Sequence, residues 1–244
     1  MTNGTNRLAL TLGCALFAVL GGVAGWWWNA RHSAPASKAA IERVVHDYLM
    51  THPEVLPKAM EELKKRENGK QLSNVKDDVE TAYPGAVLGN PNGTLTMVVF
   101  TDYACGYCRQ SVDDVDALIA ANPDLKVVVR ELPILSSGSA AAARMALAAA
   151  AQGKYAAFHK AMFAAGRPDP ATIPAAASAA GLDPALAKTA IADPKIDAEL
   201  RKNLDMAGEL GFGGTPSWVI GNELFAGAVG MDVLADALKR ARGS

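Results

Sequence analysis

Hydrophobic and polar positions change rhythm several times along the chain. Leu8 to Trp28 is a run of 21 residues without a charge, long enough to cross a bilayer at about 1.5 Å per residue. Gly22-Val23-Ala24 offers small residues of the kind a signal peptidase prefers. The apolar run nevertheless continues into Trp26-Trp27-Trp28, which suits an interfacial aromatic belt. The pattern therefore favours an uncleaved anchor over residues 8–28, with a cleaved export signal as the alternative. Arg7 precedes the span and Arg31 and Lys38 follow it, so basic residues do not set its orientation. Ser33 to Ser37 reads as a short linker, closing a first region of residues 1–37.

From Lys38 to about Glu80 the chain is charged and helical in pattern. Ile41, Val44, Val45, Tyr48 and Leu49 keep to one helix face. Thr51-His52-Pro53-Glu54 has capping-box spacing and predicts a new helix carrying Val55, Leu56, Ala59, Met60 and Leu63, with Pro57 kinking it or marking its first turn. Asn68-Gly69 predicts an interruption, after which Leu72, Val75 and Val79 continue the stripe. Residues 38–82 thus read as a helical stem. Its apolar seam predicts self-association through residues 38–80, with docking onto the following domain as the alternative.

Tyr83-Pro84 opens the third region, residues 83–244. Gly89 to Gly93 is a turn before the strand Thr94 to Phe100. Helical spacing follows through Val112, Val115, Leu118 and Ile119, and Leu125 to Leu132 is a second strand. Strand, helix and strand at these intervals predict a right-handed βαβ unit with a parallel pair. Residues 139–209 are alanine-rich and punctuated at Gly153, Pro168-Asp169-Pro170, Gly181 to Pro184 and Asp193-Pro194, predicting four or five short helices. His159 falls there and reads as a surface or boundary helix residue. Strand character returns with the stretch Gly211 to Gly221, Asn222-Glu223 predicts a turn into Leu224 to Gly227, and Asp232 to Arg242 predicts a last helix.

Composition narrows the function. The chain has 244 residues, half of them hydrophobic, and a net charge of −1, which is material for one globular domain plus appendages and carries no charge excess of the kind that attracts nucleic acid. Of three cysteines, Cys14 lies in the N-terminal apolar run and reads as a lipid-facing residue. The other two form Cys105-Gly106-Tyr107-Cys108, one helical turn apart at a strand-to-helix junction. There the first sulfur meets free backbone N–H groups and the positive end of a helix dipole, which stabilises its thiolate. A structural zinc site would need about four ligands, and no second cluster stands among His32, His46, His52 and His159. A structural disulfide here would close a tiny ring and stabilise little. Two-coordinate copper(I) on the soft thiolates remains as a side activity. A redox dithiol is the leading reading. Gly214-Thr215-Pro216 adds a bend of the kind that uses a cis bond, and laid beside Cys105 it would expose the backbone of Thr215 to a substrate peptide.

Phe100 to Cys105, the dithiol, the helical stretch and Gly214-Thr215-Pro216 together resemble the DsbA-like branch of the thioredoxin superfamily over residues 85 to 244, especially the bacterial group related to ScsC and Com1 proteins. The resemblance implies an α/β thioredoxin-like fold with an inserted α-helical subdomain, a thiol-disulfide oxidoreductase, and a site facing the periplasm from the bacterial cell envelope. It implies Cys105 as nucleophile and Cys108 as the more buried resolving thiol. Thr215 and Pro216 would form the substrate-binding loop, with Gly106 and Tyr107 beside it tuning the redox poise. The implied partners are exported proteins with thiols or disulfides and a membrane redox partner; no cofactor is implied. Gly106-Tyr107 lacks the histidine of strongly oxidising DsbA enzymes, which shifts the expected couple towards reducing values and keeps isomerase or reductase activity open beside oxidation. A copper-binding or scaffolding protein of the envelope is the reading from another class. Asp102 and Glu131 read as surface or turn carboxylates, with proton relay to Cys108 as their lesser role.

Overall fold

The computed structural model describes residues 18–29 and 37–243. Helix α1 covers residues 18–29, so the first ten residues of the expected anchor, 8–17, lie outside the described residues, as does Cys14. Among the described residues no helix is long and apolar enough to cross a membrane. The chain divides into two units between Met60 and Glu61.

In the first unit, α2 (Lys38–Thr51) starts where the Ser37 hydroxyl accepts the Ala40 N–H and ends where Thr51 donates its hydroxyl to the Asp47 and Tyr48 carbonyls. Thr51 therefore closes α2 instead of capping the next helix. α2 buries none of its residues. α3 (Val55–Ser73) carries Pro57 in its first turn, where the missing N–H costs nothing, and runs unbroken through Asn68-Gly69. The expected interruption is absent because one glycine in a helix interior costs only about 1 kcal/mol, within reach of packing further along.

The second unit is built on a five-stranded sheet. Its strands are β1 (Val87–Gly89), β2 (Leu95–Thr101), β3 (Leu125–Glu131), β4 (Ser217–Ile220) and β5 (Glu223–Ala226), in the order β1-β3-β2-β4-β5. β2 and β3 run parallel, joined by α5 (Gly106–Ala121), and the other pairs are antiparallel. The expected βαβ unit is thus the centre of the fold. β1 escaped the sequence reading because three residues carry no measurable alternation. The β4–β5 turn is Gly221-Asn222, one residue earlier than expected, with Gly221 at φ +58° as a tight hairpin requires.

Alternating side chains give the sheet two buried faces. Met97, Val99, Val127, Val129 and Trp218 face one core with α5 and the last helix, α11 (Met231–Arg242). Val98, Phe100, Val128 and Val219 face the other, closed by Leu72, Val75 and Val79 from the end of α3 and the short α4 (Lys76–Glu80), and by Met206 and Leu210. Five helices form the insertion: α6 (Ser139–Ala151), α7 (Tyr155–Ala165), α8 (Thr172–Ala179), α9 (Pro184–Ile191) and α10 (Pro194–Glu209). Asp183 and Asp193 each cap a helix whose first residue is proline, which is why these Asp-Pro pairs start helices instead of merely ending loops. The alanines of α6 are small enough to let α7, α8 and α9 pack closely around it.

Candidate active site

β2 ends at Thr101, and the three residues that follow turn the chain into α5. The Asp102 carboxylate makes the turn. Its Oδ1 accepts the Ala104 N–H at 2.8 Å and the Ser139 hydroxyl at 2.6 Å, and its Oδ2 accepts the N–H groups of Ile134 and Leu135 at 2.8 and 2.9 Å. Four donors satisfy a charge that is buried. Asp102 is therefore not a surface carboxylate; it ties the segment after β3 and the start of α6 to the turn before Cys105.

Cys105 is the N-cap of α5. Its Sγ accepts the Cys108 N–H at 3.2 Å, and its thiol donates to the Thr215 carbonyl, also at 3.2 Å. Both cysteines are free thiols and each is only 4% exposed. Tyr107 stands on the outer face of the first turn, 64% exposed, and Gly106 has nothing within 4 Å of where a Cβ would be. The Thr215-Pro216 bond is cis. The loop around it is held by the Ser217 hydroxyl on the Gly214 carbonyl, and by the Gly227 N–H on the Pro216 carbonyl, both at 2.8 Å. The structure thus brings Cys105, Cys108, Thr215 and Pro216 together and leaves Gly106 and Tyr107 on the rim.

Behind Cys105 the surroundings turn apolar. Burial and, after it, a hydrogen bond with Cys105 push the Cys108 thiol up to about 12, while the Thr215 hydroxyl, the Asp102 backbone and the Thr101 hydroxyl pull the other way. The Thr215 hydroxyl has no partner at ordinary hydrogen-bond geometry, so its pull on Cys108 is weak compared with burial. Cys108 also lines a cavity of about 210 Å³ between α5, the sheet and α7, together with Thr101, Ser111, His159, Pro216 and Trp218.

His159 is buried, contrary to the expected surface or boundary position. His159 lies on the one buried stripe of α7, with Tyr155, Phe158, Met162 and Phe163, while Ala156, Ala157 and Lys160 on the other side are exposed. Glu131 is also buried, at the end of β3, and accepts hydroxyls from Tyr103 at 3.0 Å and Tyr155 at 2.6 Å. Tyr103, Tyr155, Glu131 and His159 form one cluster beside the dithiol; of these only Glu131 carries a candidate chemical role in the sequence reading. An acidic residue ending an apolar strand was the available signal.

The profile of the family described as DSBA-like thioredoxin domain matches residues 96–239. The chain belongs to this DsbA-like family. Its members' fold is the one seen here, and the protein is a thiol-disulfide oxidoreductase. A second profile, the copper resistance protein ScsC N-terminal domain, matches residues 38–68. A thioredoxin-like oxidoreductase from Silicibacter pomeroyi DSS-3 is similar over 65% of this chain and 92% of its own, at 42% identity and a TM-score of 0.63. The thiol-disulfide exchange protein alpha-DsbA2 from Wolbachia pipientis is similar over 73% of this chain and 97% of its own, at 29% identity and a TM-score of 0.68. A periplasmic thioredoxin-like protein from Salmonella enterica serovar Typhimurium covers 70% and is itself covered to 97%, at 29% identity and a TM-score of 0.64. Among curated proteins none matches the chain. For a DsbA-like domain the inserted helices α6 to α10 fall between β3 and the cis-proline strand, and the dithiol lies at the carboxyl end of a central strand.

Proposed function

We propose that the protein exchanges disulfides with exported proteins of the bacterial cell envelope through Cys105 and Cys108. The observation that carries this is the position of the Cys105 sulfur, held between a helix N-terminal N–H and the carbonyl of Thr215. The Cys108 N–H orients this sulfur at the start of α5. The Thr215 carbonyl lies where an extended substrate chain would pair as an added strand, which puts the substrate's own sulfur next to Cys105. Cys105 thiolate attacks one sulfur of a substrate disulfide, and the other substrate sulfur leaves as a thiolate. Cys108 then attacks the Cys105 sulfur, forming the Cys105–Cys108 disulfide and releasing the second substrate thiolate. The same steps in reverse oxidise a substrate dithiol. Gly106 and Tyr107, exposed on the first turn, contact the substrate and tune the poise; without a histidine between the cysteines the couple is more reducing than in strongly oxidising relatives.

The setting is the periplasm, supported by the description of the Salmonella relative, with residues 8–28 as anchor and a membrane protein as redox partner. The stem self-associates through residues 38–80, a reading supported by the exposure of Ile41, Val44, Val45 and Tyr48 on α2. Replacing Cys108 by serine tests the mechanism. The Cys108→Ser protein should accumulate mixed disulfides with exported proteins at Cys105, visible by mass and released by reductant. Absence of any adduct, with Cys105 still alkylated normally, would remove the exchange role of the pair.

A further inference from the structure

Glu131 ends β3 and is the parallel partner of Thr101, which ends β2. It is 1% exposed. Its Oε1 accepts both tyrosine hydroxyls, while its Oε2 is buried with no partner. The neighbouring Arg130 points to the opposite core, where Glu199 and the carbonyls of Asp78, Val79 and Thr81 occupy its guanidinium. Among the described residues no Lys or Arg pairs with Glu131, so charge pairing does not offset the cost of burying this carboxyl.

The cluster extends towards the dithiol. Tyr103 stands two residues before Cys105, and its oxygen is 3.2 Å from His159 Nδ1. With the Tyr103 hydroxyl donated to Glu131, the tyrosine oxygen accepts the Nδ1–H, which leaves Nε2 of the imidazole as an acceptor. His159 and Cys108 line the same cavity. A buried water needs only about 10–15 Å³ of such space and two to four polar partners, and the cavity of about 210 Å³ offers the Thr101 and Ser111 hydroxyls besides these two side chains. The other groups facing His159 are Tyr155 and Lys160 on its own helix and Asp116 on α5, the last two paired at 3.1 Å.

We propose that Glu131, Tyr103 and His159 form a proton relay that serves the Cys108 thiol through this cavity. The inference rests on the reading of Cys105 and Cys108 as the exchanging pair. When Cys108 attacks the mixed disulfide, its S–H proton passes across the cavity to His159 Nε2, the Nδ1 proton to the Tyr103 oxygen, and the Tyr103 proton to Glu131. A bond forms between the Cys108 and Cys105 sulfurs as the Cys105–substrate bond breaks; the substrate leaves as a thiolate and Glu131 ends protonated. In the oxidising direction the same carboxylic acid returns a proton to the departing Cys108 thiolate. Burial raises Glu131 to about 8 and lowers His159 to about 4, so the carboxyl stores the proton and the imidazole passes it on. In the mixed disulfide Cys105 no longer has the thiol whose hydrogen bond helps keep Cys108 protonated, which brings donor and acceptor closer.

The test is release of glutathione from a preformed Cys105–glutathione mixed disulfide of the full chain, timed between about pH 6 and 9.5. The wild-type rate should climb with pH as Glu131 ionises and break near pH 8. Glu131→Gln, which keeps an acceptor for both tyrosines, should release at least about tenfold more slowly at the high-pH end and lose the break, and His159→Gln should move the same way. Alkylation of Cys105 in the reduced variants should stay within about twofold of wild type. A wild-type rate that climbs without a break overturns the relay, whether or not the variants fold. So does unchanged release from Glu131→Gln, or an equal loss in Cys105 alkylation, which would mark a structural effect. Failure of the relay alone leaves mixed-disulfide trapping by Cys108→Ser intact; loss of trapping removes the exchange reading beneath it.

Discussion

Glu131 and His159 lie within one cluster but respond to pH in opposite senses, and their signs can be followed through folding. Glu131 rises from an ordinary carboxyl value to about 8 on burial, so between about 4.5 and 8 the folded chain holds a proton that the unfolded chain has lost. Its contribution to stability falls as pH rises through that window. His159 drops from 6.5 to about 4, so between these values the unfolded chain holds the extra proton and stability rises with pH. The two effects offset between about pH 4.5 and 6.5, and above that only Glu131 remains. The reduced protein should therefore lose on the order of 2 kcal/mol between about pH 6.5 and 8, at about 1.4 kcal/mol per pKa unit. Urea unfolding at both ends of that window checks this, and Glu131→Gln should flatten the decline. A wild-type stability that does not fall there would mean that Glu131 is ionised in the folded state. Asp102 shows the contrast: equally buried, it has four donors where Glu131 Oε1 has two and Oε2 none.

At the scale of elements, β3 sends successive residues to opposite cores, Glu131 towards the dithiol and Arg130 towards the end of the stem. The Arg130 guanidinium donates to Glu199 at 2.7 Å and Asn203 at 3.3 Å, and to three carbonyls of α4 and its exit. One side chain thereby fixes α4 and α10 to the sheet. Arg130→Met keeps much of the volume but strands Glu199 and those carbonyls, and should destabilise by about 3–5 kcal/mol. Chemical denaturation measures it, with Cys105 alkylation in the folded variant expected to be unchanged because the affected core lies on the other face. The strands β2 and β3, the helix between them, the cysteine pair and the proline bend were legible because each has a local signature: a continuous apolar run, a helical stripe, a motif. The burial of Asp102, Glu131 and His159 was not legible: the first two read as surface or turn carboxylates and the third as a surface or boundary residue. Their partners, Ser139, Tyr155 and Tyr103, lie 24 to 56 positions away in sequence, and no local pattern reports a hydrogen bond across such a distance. The end of the stem stripe was half legible: its apolar residues were seen, while their burial against Phe100 and Phe212 depends on where the sheet falls.

At the scale of the whole molecule, the DsbA-like domain is preceded in the chain by a separate helical unit that carries α2. α2 has no buried residue, and Ile41, Val44, Val45 and Tyr48 are each more than half exposed on one face. Four large apolar side chains at helical spacing, about half in water, forgo on the order of 1 kcal/mol each relative to full burial. A second copy of the same helix is a partner with a matching stripe, and pairing through such a seam needs no change in either domain. Association would also bring two or more dithiols within reach of one substrate, so that a wrongly paired protein held by one Cys105 meets a second before it diffuses away, raising its effective concentration without any new contact at the active site. The full chain in detergent should therefore sediment as an oligomer. The double substitution Val44→Glu and Tyr48→Glu, one turn apart on the exposed face, should give a monomer, with Cys105 alkylated at the wild-type rate because the thiol's own surroundings are untouched. Exchange on a substrate with one disulfide should survive in that monomer, while reshuffling of a substrate with several wrong disulfides should fall. If the mass does not change with the substitution, the stripe has some other use than self-association; if the mass drops and reshuffling does not, association serves something other than gathering active sites.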